Sequence, residues 1–120
     1  MTHIADACIV ACIDFRFQKY IKDWIAKNLN GKTYDYVGLA GSTKDWPVIK
    51  KQIDISKKLH QIKQVILIHH EECGAYGTES TPQRHSQDLK KAKEKILAKY
   101  PDLQVDLYYL HLDGTFEVIR

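Results

Sequence analysis

Continuous apolar runs mark the first predicted strands of the chain. Residues 7–13 (ACIVACI) are apolar throughout and partly β-branched, and an aspartate flanks them on each side. Residues 64–68, with VILI at their centre, repeat this pattern, and residues 34–37 lead into the glycine-marked loop Gly38-Leu39-Ala40-Gly41. A run that is apolar at every position is typical of a strand buried on both faces of a parallel sheet. We therefore expect strands over 7–13, 34–37 and 64–68.

Between these strands, apolar residues recur at intervals of three and four, the spacing of an amphipathic helix. The first such segment, 17–29, is followed by Asn30-Gly31, which commonly ends a helix. The second begins at Pro47, a residue suited to the first turn of a helix. Its apolar positions are Val48, Ile49, Ile53, Ile55, Leu59 and Ile62. A third helix is predicted between Pro82 and Pro101.

The carboxyl-terminal segment predicts a hairpin. Residues 105–112 form a fourth strand, and Asp113-Gly114 offers a tight turn into residues 115–119, so the last strand is expected to run antiparallel. Strands that alternate with helices give a parallel sheet with helices on both faces. The predicted fold is a three-layer α/β sandwich with a mainly parallel four-stranded sheet plus a C-terminal antiparallel strand, and we expect residues 1–120 to form a single domain.

Composition and charge narrow the possible function classes. Hydrophobic residues make up 44% of the 120 positions and charged residues 28%, as in an ordinary soluble globular domain. The net charge of +3 is too small to indicate a protein that binds nucleic acid. No apolar run approaches the roughly 20 residues of a membrane span, and the amino-terminal residues lack a secretory signal pattern. We expect a cytoplasmic protein with no membrane partner.

The cysteines supply the first candidate chemistry. Three cysteines cannot all form disulfides within one chain, and in a reducing compartment metal binding or catalysis is their expected use. Cys12 lies at the end of the first strand, and His70 and Cys73 follow the third. Because ligands bind at the carboxyl ends of parallel strands where the strand order reverses, these three side chains can converge. Two thiolates and one imidazole suit zinc and leave a fourth position for water, as in catalytic zinc sites.

Asp14 and Arg16 follow Cys12 closely and predict a second part of the site. Alternate residues at a strand end point the same way, so a carboxylate and a guanidinium two positions apart can pair bidentately. An aspartate held by arginine stays ionised and can accept a hydrogen bond from a zinc-bound water. Zinc lowers the pKa of that water towards neutrality and so provides a hydroxide nucleophile. The pattern therefore predicts hydration or hydrolysis.

The two motifs together resemble those of the β-class carbonic anhydrases. CIDFR, with Cys12, Asp14 and Arg16, is similar to the family signature Cys-x-Asp-x-Arg, and the later HEECG is similar to His-x-x-Cys-Gly. The GLAG segment and the closing segment YYLHLDGTFEVI extend the resemblance over most of the chain.

The resemblance implies a β-carbonic anhydrase-like fold and a zinc lyase that interconverts CO2 and bicarbonate. It assigns Cys12, His70 and Cys73 as zinc ligands and Asp14 with Arg16 as a gating dyad. In that family the equivalent of Asp14 either binds zinc itself or pairs with the arginine, and both arrangements stay open here. The resemblance also suggests a homodimer or a higher homo-oligomer.

Two other functions fit the same residues. One is a zinc hydrolase acting on a CO2-like molecule such as carbonyl sulfide or carbon disulfide, and the other is a non-catalytic zinc-binding or sensor domain. Glu71 and Glu72, inside the second motif, are expected to raise the pKa of bound water if they face the metal.

The remaining cysteine and the neighbouring histidine are expected to lie away from the metal. Cys8 lies about 13 Å along the strand from Cys12 and is predicted to be a core thiol. His69 is expected to point to the face opposite His70, and His85 is a minor candidate for a proton relay.

Overall fold

A computed structural model describes residues 2–120 and shows a five-stranded sheet in the order β2-β1-β3-β4-β5. The strands are β1 (Ala7–Ala11), β2 (Tyr34–Gly38), β3 (Gln64–His70), β4 (Gln104–Leu110) and β5 (Phe116–Val118). The first four run parallel, and β5 pairs with β4 in the antiparallel sense. The predicted sheet, including its antiparallel last strand, is confirmed.

Three helices connect the strands: α1 (Gln18–Asn28), α2 (Trp46–His60) and α3 (Pro82–Lys99). A single 3-10 turn at Phe15–Phe17 precedes α1, and another at Gly77–Glu79 precedes α3. The hydroxyl of Thr81 accepts a hydrogen bond from the backbone N–H of Arg84, which together with Pro82 fixes the start of α3. No helix within residues 2–120 has both the length and the apolar character needed to cross a membrane.

The helices cover both faces of the sheet and so produce the predicted three layers. On one face, α1 packs Ile21 and Ile25 against Ile9 and Ile66 of the central strands. On the other face, α2 and α3 pack onto a second cluster that includes Cys8, Val10, Val65 and Leu67. Every residue of β1 is fully buried, because adjacent residues face opposite layers. This double burial explains why the sequence of β1 is apolar at each position.

Several strand boundaries differ from the prediction by one or two residues, and the ends of β1 and β3 are the two that affect the site. β1 ends at Ala11, so Cys12 and Ile13 belong to the loop that leaves the sheet. β3 instead continues through His69 and His70, which pair with residues of β4. The ladder with β4 supplies backbone hydrogen bonds that polar side chains do not interrupt, so the change in side-chain character at His69 did not mark the end of the strand.

The second helix buries a different set of apolar residues from the set that its spacing suggested. Ile49 and Ile53 lie in the core, whereas Val48, Ile55 and Leu59 are exposed. α2 also ends at His60, so Ile62 is buried from the loop that follows rather than from the helix.

Candidate metal centre

The carboxyl ends of β1 and β3, which are neighbouring parallel strands, bring three side chains to one point. Cys12 follows β1 directly, His70 is the last residue of β3, and Cys73 lies in the turn after it. The sulfur atoms of both cysteines and a ring nitrogen of His70 all lie within 4.8 Å of one another. The three side chains are nearly inaccessible to solvent, with exposed fractions of 7% or less.

The imidazole of His70 is oriented as a metal ligand requires. Its Nδ1 lies 2.7 Å from the carbonyl oxygen of Glu71 and donates a hydrogen bond to it, so the lone pair is on Nε2. Among the residues that the structure describes, His70 Nε2 is the only buried side-chain nitrogen or oxygen without a hydrogen-bond partner. A buried polar atom without a partner costs about 1–3 kcal/mol. A metal ion accepting this lone pair would remove that cost, so His70 fits a metal.

The two thiols interact strongly with each other. Their close interaction lowers the pKa of Cys12 far below that of an ordinary thiol and raises the pKa of Cys73. The backbone N–H of Gly41 also donates to the Cys12 sulfur, at 3.4 Å. Gly41 has a φ of +82°, and a Cβ there would lie 2.9 Å from a side-chain carbon of Lys44, so a larger residue would displace this donor.

The donor set of two sulfurs and one imidazole nitrogen matches the chemistry of zinc. Zinc binds cysteine and histidine in tetrahedral geometry, and catalytic sites provide three protein ligands rather than four. Among the described residues this is the one group of three potential metal-binding side chains. The residues therefore fit a zinc ion with one coordination position left for a small molecule.

Asp14 pairs with Arg16 in this structure, which is one of the two arrangements left open by the sequence. The guanidinium donates from Nη2 to Oδ2 at 2.8 Å and from Nε to both carboxylate oxygens at 3.2 Å, and the Arg16 backbone N–H donates to Oδ1 at 2.9 Å. These bonds hold the pKa of Asp14 below its usual range. Asp14 Oδ2 is 3.8 Å from His70 Nε2, so the ionised carboxylate lies at the edge of the ligand cluster.

The two glutamates of the second motif, Glu71 and Glu72, bind the closing hairpin and Arg16. Glu71 Oε1 accepts a hydrogen bond of 2.9 Å from the backbone N–H of Leu112, which ties the motif to the closing hairpin. The carbonyl oxygen of Glu72 accepts from Arg16 Nη2 at 2.9 Å, and its carboxylate lies 3.3 Å from Nη1. Arg16 is therefore held between Asp14 and the loop that carries Cys73.

An open cleft beside the cluster is lined mainly by apolar and small residues. Its walls include Ile13, Phe15, Ala40, Gly74 and Ala75, next to Cys12, Asp14 and Arg16. Ile13 is 62% exposed and Phe15 is 86% exposed, although both are large apolar residues. A small uncharged molecule could reach the cluster through this cleft.

Cys8 and His69 lie outside the cluster, in the positions that the sequence predicted. Cys8 is completely buried in the core under α2, and this burial raises the pKa of its thiol to about 11. His69 points to the opposite face from His70 and hydrogen-bonds to Thr43 and His85. Burial lowers the pKa of His69 to about 3, so its ring is neutral.

His85 has a larger part in the structure than its sequence position indicated. It is fully buried and contacts His69, which lies 16 residues earlier, and Ser80. The sequence around His85 gives no signal of these contacts, because they depend on how α3 packs against β3. Thr43 and Ser80 were also missed, because their contacts with His69 and His85 arise only when the loops that carry them fold against β3 and α3.

Comparison with known proteins places the chain beside carbonic anhydrases. The family described as "Putative carbonic anhydrase" matches residues 2–120. An uncharacterized protein of Rickettsia bellii (strain RML369-C) is 32% identical over 135 residues, which cover 96% of this chain and 82% of that protein.

Solved structures with the same fold include a carbonic anhydrase from Glaciozyma antarctica. It aligns with a TM-score of 0.73 at 17% identity, covering 100% of this chain and 85% of its own. A structure from a report on two tetrameric β-carbonic anhydrases of Sordaria macrospora aligns with a TM-score of 0.60 at 12% identity, covering 98% of this chain and 81% of its own. At these identities the likeness shows the fold alone.

Proposed function

The chain belongs to the carbonic anhydrase family whose model matches residues 2–120, and from this premise we propose that it is a zinc lyase catalysing the reversible hydration of CO2 to bicarbonate. Cys12, His70 and Cys73 are the proposed zinc ligands. The observation that carries the proposal is the unpartnered Nε2 of His70, buried within 4.8 Å of two cysteine sulfurs. Such an arrangement is costly in a metal-free protein and favourable around zinc.

A zinc ion in this position would supply a Lewis acid that makes water acidic enough to act as a nucleophile near neutral pH. The protein's own contribution is to hold the surrounding groups in place. Asp14, kept ionised by Arg16, provides a hydrogen-bond acceptor at the edge of the cluster. Because Arg16 donates to both carboxylate oxygens, it also competes with a metal ion for the lone pairs of Asp14.

The apolar lining of the cleft is consistent with a small apolar substrate. CO2 has no net charge and needs little more than an uncrowded apolar surface next to the reacting group. Ile13, Phe15, Ala40 and Ala75 provide such a surface beside Cys12. The Arg16 guanidinium lies at the same cleft and offers an attractive charge to the bicarbonate product.

We further propose that the protein works in the cytoplasm as a homo-oligomer. All three cysteines are unpaired, as the metal site requires and as a reducing compartment allows. The exposed Ile13 and Phe15 at the cleft are typical of a surface that another protein copy covers. The tetrameric assembly stated for the Sordaria macrospora enzymes supports this proposal.

Zinc analysis combined with stopped-flow CO2 hydration tests the proposed function. Purified parent protein should contain about one zinc per chain and accelerate CO2 hydration above the buffer rate between about pH 7 and pH 9. Cys73→Ser should lose both zinc and activity. Cys8→Ala removes a thiol that lies outside the cluster and is the matched control, so it should keep both.

Different failures point to different conclusions. Parent protein that is folded but binds well under one zinc would overturn the metal site itself. One zinc per chain with no CO2 hydration would remove the carbonic anhydrase activity, and hydrolysis of carbonyl sulfide or carbon disulfide would then identify the alternative enzyme. Zinc without any of these activities would leave a zinc-binding or sensor domain.

A further inference from the structure

A chain of four hydrogen-bonded side chains, three of them buried, lies behind the metal centre, on the face of β3 opposite His70. The Thr43 hydroxyl is 2.7 Å from His69 Nε2, His69 Nδ1 is 2.8 Å from His85 Nδ1, and His85 Nε2 is 2.8 Å from the Ser80 hydroxyl. Thr43, His69 and His85 are each 4% exposed or less. We call these four residues the histidine brace.

The hydrogen-bond partners assign a single proton arrangement to the brace. The backbone N–H of Thr43 points at His69 Nε2 from 3.4 Å, so Nε2 accepts and the proton of His69 is on Nδ1. That proton is donated to Nδ1 of His85, which leaves the proton of His85 on Nε2, where it is donated to Ser80. Each ring nitrogen therefore has a partner while both imidazoles are neutral.

Each end of the brace reaches a segment of backbone that contacts or contains one of the two cysteines. The Ser80 hydroxyl oxygen also accepts a hydrogen bond of 2.9 Å from the backbone N–H of Cys73. Thr43, at the other end, lies two residues after Gly41, whose N–H donates to the Cys12 sulfur. The brace therefore spans from the loop that contacts the first thiol to the backbone of the second.

We propose that the histidine brace positions Cys12 and Cys73 for metal binding, with Thr43, His69, His85 and Ser80 as positioning residues that do not touch the metal. This inference rests on the zinc site proposed above. Ligands held in place before the metal arrives lose less conformational freedom on binding, so a fixed pair of thiols binds zinc more tightly than a mobile pair. A neutral brace is suited to this position, because it adds no charge behind two cysteines that must ionise.

Single-atom changes at the two ends of the brace test the inference. Ser80→Ala and Thr43→Val each delete one hydroxyl. Their controls, Ser80→Thr and Thr43→Ser, retain it. The dissociation constant for zinc is measured by competition with a chromophoric chelator, and the Co²⁺-loaded protein gives an absorption spectrum that reports the geometry of the sulfur ligands. We expect zinc to bind about 10- to 100-fold more weakly to Ser80→Ala and Thr43→Val, with a changed Co²⁺ spectrum.

The controls separate positioning from general stability. Ser80→Thr and Thr43→Ser should restore the parent affinity and spectrum. Ser86→Ala removes a hydroxyl from α3 outside the brace and should match the parent in both measurements. Thermal unfolding of the metal-free proteins shows how much each deletion weakens the fold, and a loss of stability alone leaves the Co²⁺ spectrum of the folded protein unchanged.

The outcomes distinguish the brace from the metal site on which it depends. If the parent binds zinc and Ser80→Ala and Thr43→Val bind it within twofold of the parent with the same Co²⁺ spectrum, the brace has no positioning role and only this inference is overturned. If the parent binds neither metal, the proposed zinc site is wrong, and the brace as a device for metal binding is wrong with it.

Discussion

At the scale of single residues, His69 and His70 show how one residue type takes two roles at adjacent positions. The alternation of side chains along β3 sends His70 towards the thiols and His69 into the layer under α3. Every ring nitrogen of His69 has a hydrogen-bond partner, whereas Nε2 of His70 has none. The same test of hydrogen-bond satisfaction therefore separates a structural histidine from a proposed ligand.

Arg16→Ala should reduce activity without removing the metal. The three proposed ligands remain, so zinc should stay at about one equivalent, but Asp14 loses the partner that holds its carboxylate. We expect the rate of CO2 hydration per bound zinc to fall about 100-fold, the lower end of the roughly 10²- to 10⁴-fold contribution of a positioned acid–base group. Stopped-flow rates divided by zinc content measure this. Lys19→Ala, which removes an exposed cation from α1, is the control and should behave as the parent.

If Arg16→Ala hydrates CO2 at the parent rate per bound zinc, the pair of Asp14 and Arg16 has no gating role. Asp14→Asn gives an independent check, because it keeps the ligands and removes the ionised acceptor itself. A normal rate in that variant would exclude Asp14 from the reaction.

Acid should destabilise the metal-free protein partly through His85. Burial lowers its pKa from 6.5 to about 4, so between these values the unfolded chain binds a proton at this residue and the folded protein does not. The free energy of unfolding therefore falls as the pH drops from about 6.5 to about 4, by up to about 1.4 kcal/mol per pH unit. The ionisable groups that contact His85 or act on its charge are Cys12, His69, His70, Tyr76, Arg84, Asp88 and Tyr109, and the Ser80 hydroxyl is its other hydrogen-bond partner.

Urea unfolding at several pH values measures this contribution. His85→Phe keeps a planar ring and removes the titrating group, so its curve of unfolding free energy against pH should be flatter than that of the parent in this window. The variant is expected to be less stable at neutral pH, because His69 and Ser80 lose a partner. Parallel curves for the two proteins would show that His85 titrates normally in the folded state.

At the scale of elements, the sequence predicts what local chemistry determines and misses what packing determines. Continuous apolar runs identified β1 and β3, and the segment between Pro82 and Pro101 identified α3. In α2, however, two sets of apolar residues both have helical spacing. Ile49 and Ile53 face the sheet, whereas Val48, Ile55 and Leu59 face outwards. Spacing alone cannot tell which set is buried, because that depends on how the helix is turned against β1 and β2.

A pair of substitutions on α2 tests this assignment of faces. Ile53 is 2% exposed and Ile55 is 41% exposed, although only one residue separates them. Ile53→Ala should lower the free energy of unfolding by about 2–5 kcal/mol, since it leaves a cavity in the core. Ile55→Ala should change it by less than about 1 kcal/mol. Denaturant unfolding measures both, and similar losses in the two variants would contradict the orientation of the helix.

At the scale of the whole molecule, the site depends on the order of the strands. Because β2 and β3 lie on opposite sides of β1, the loops after β1 and β3 leave in different directions and open a space between them. The motifs around Cys12 and Cys73, 61 positions apart in the chain, meet there. The sequence allowed this meeting to be predicted because the fold class fixes where the carboxyl ends of parallel strands lie. The brace could not be predicted, since it depends on side-chain contacts between α3 and the sheet.

The exposed apolar residues beside the site lead to a prediction about assembly. Ile13 and Phe15 project from the loop after β1, and covering their outer faces with a second copy would remove apolar surface from water. We expect the zinc-loaded parent to sediment as a dimer or larger oligomer in a concentration series. Phe15→Ser combined with Ile13→Ser should shift it towards monomer while zinc stays near one equivalent, since neither side chain is a proposed ligand.

Leu59→Ser, on the exposed face of α2, is the comparison. If it alone dissociates the assembly, the interface lies on α2, and a monomeric parent at high concentration would contradict self-association altogether.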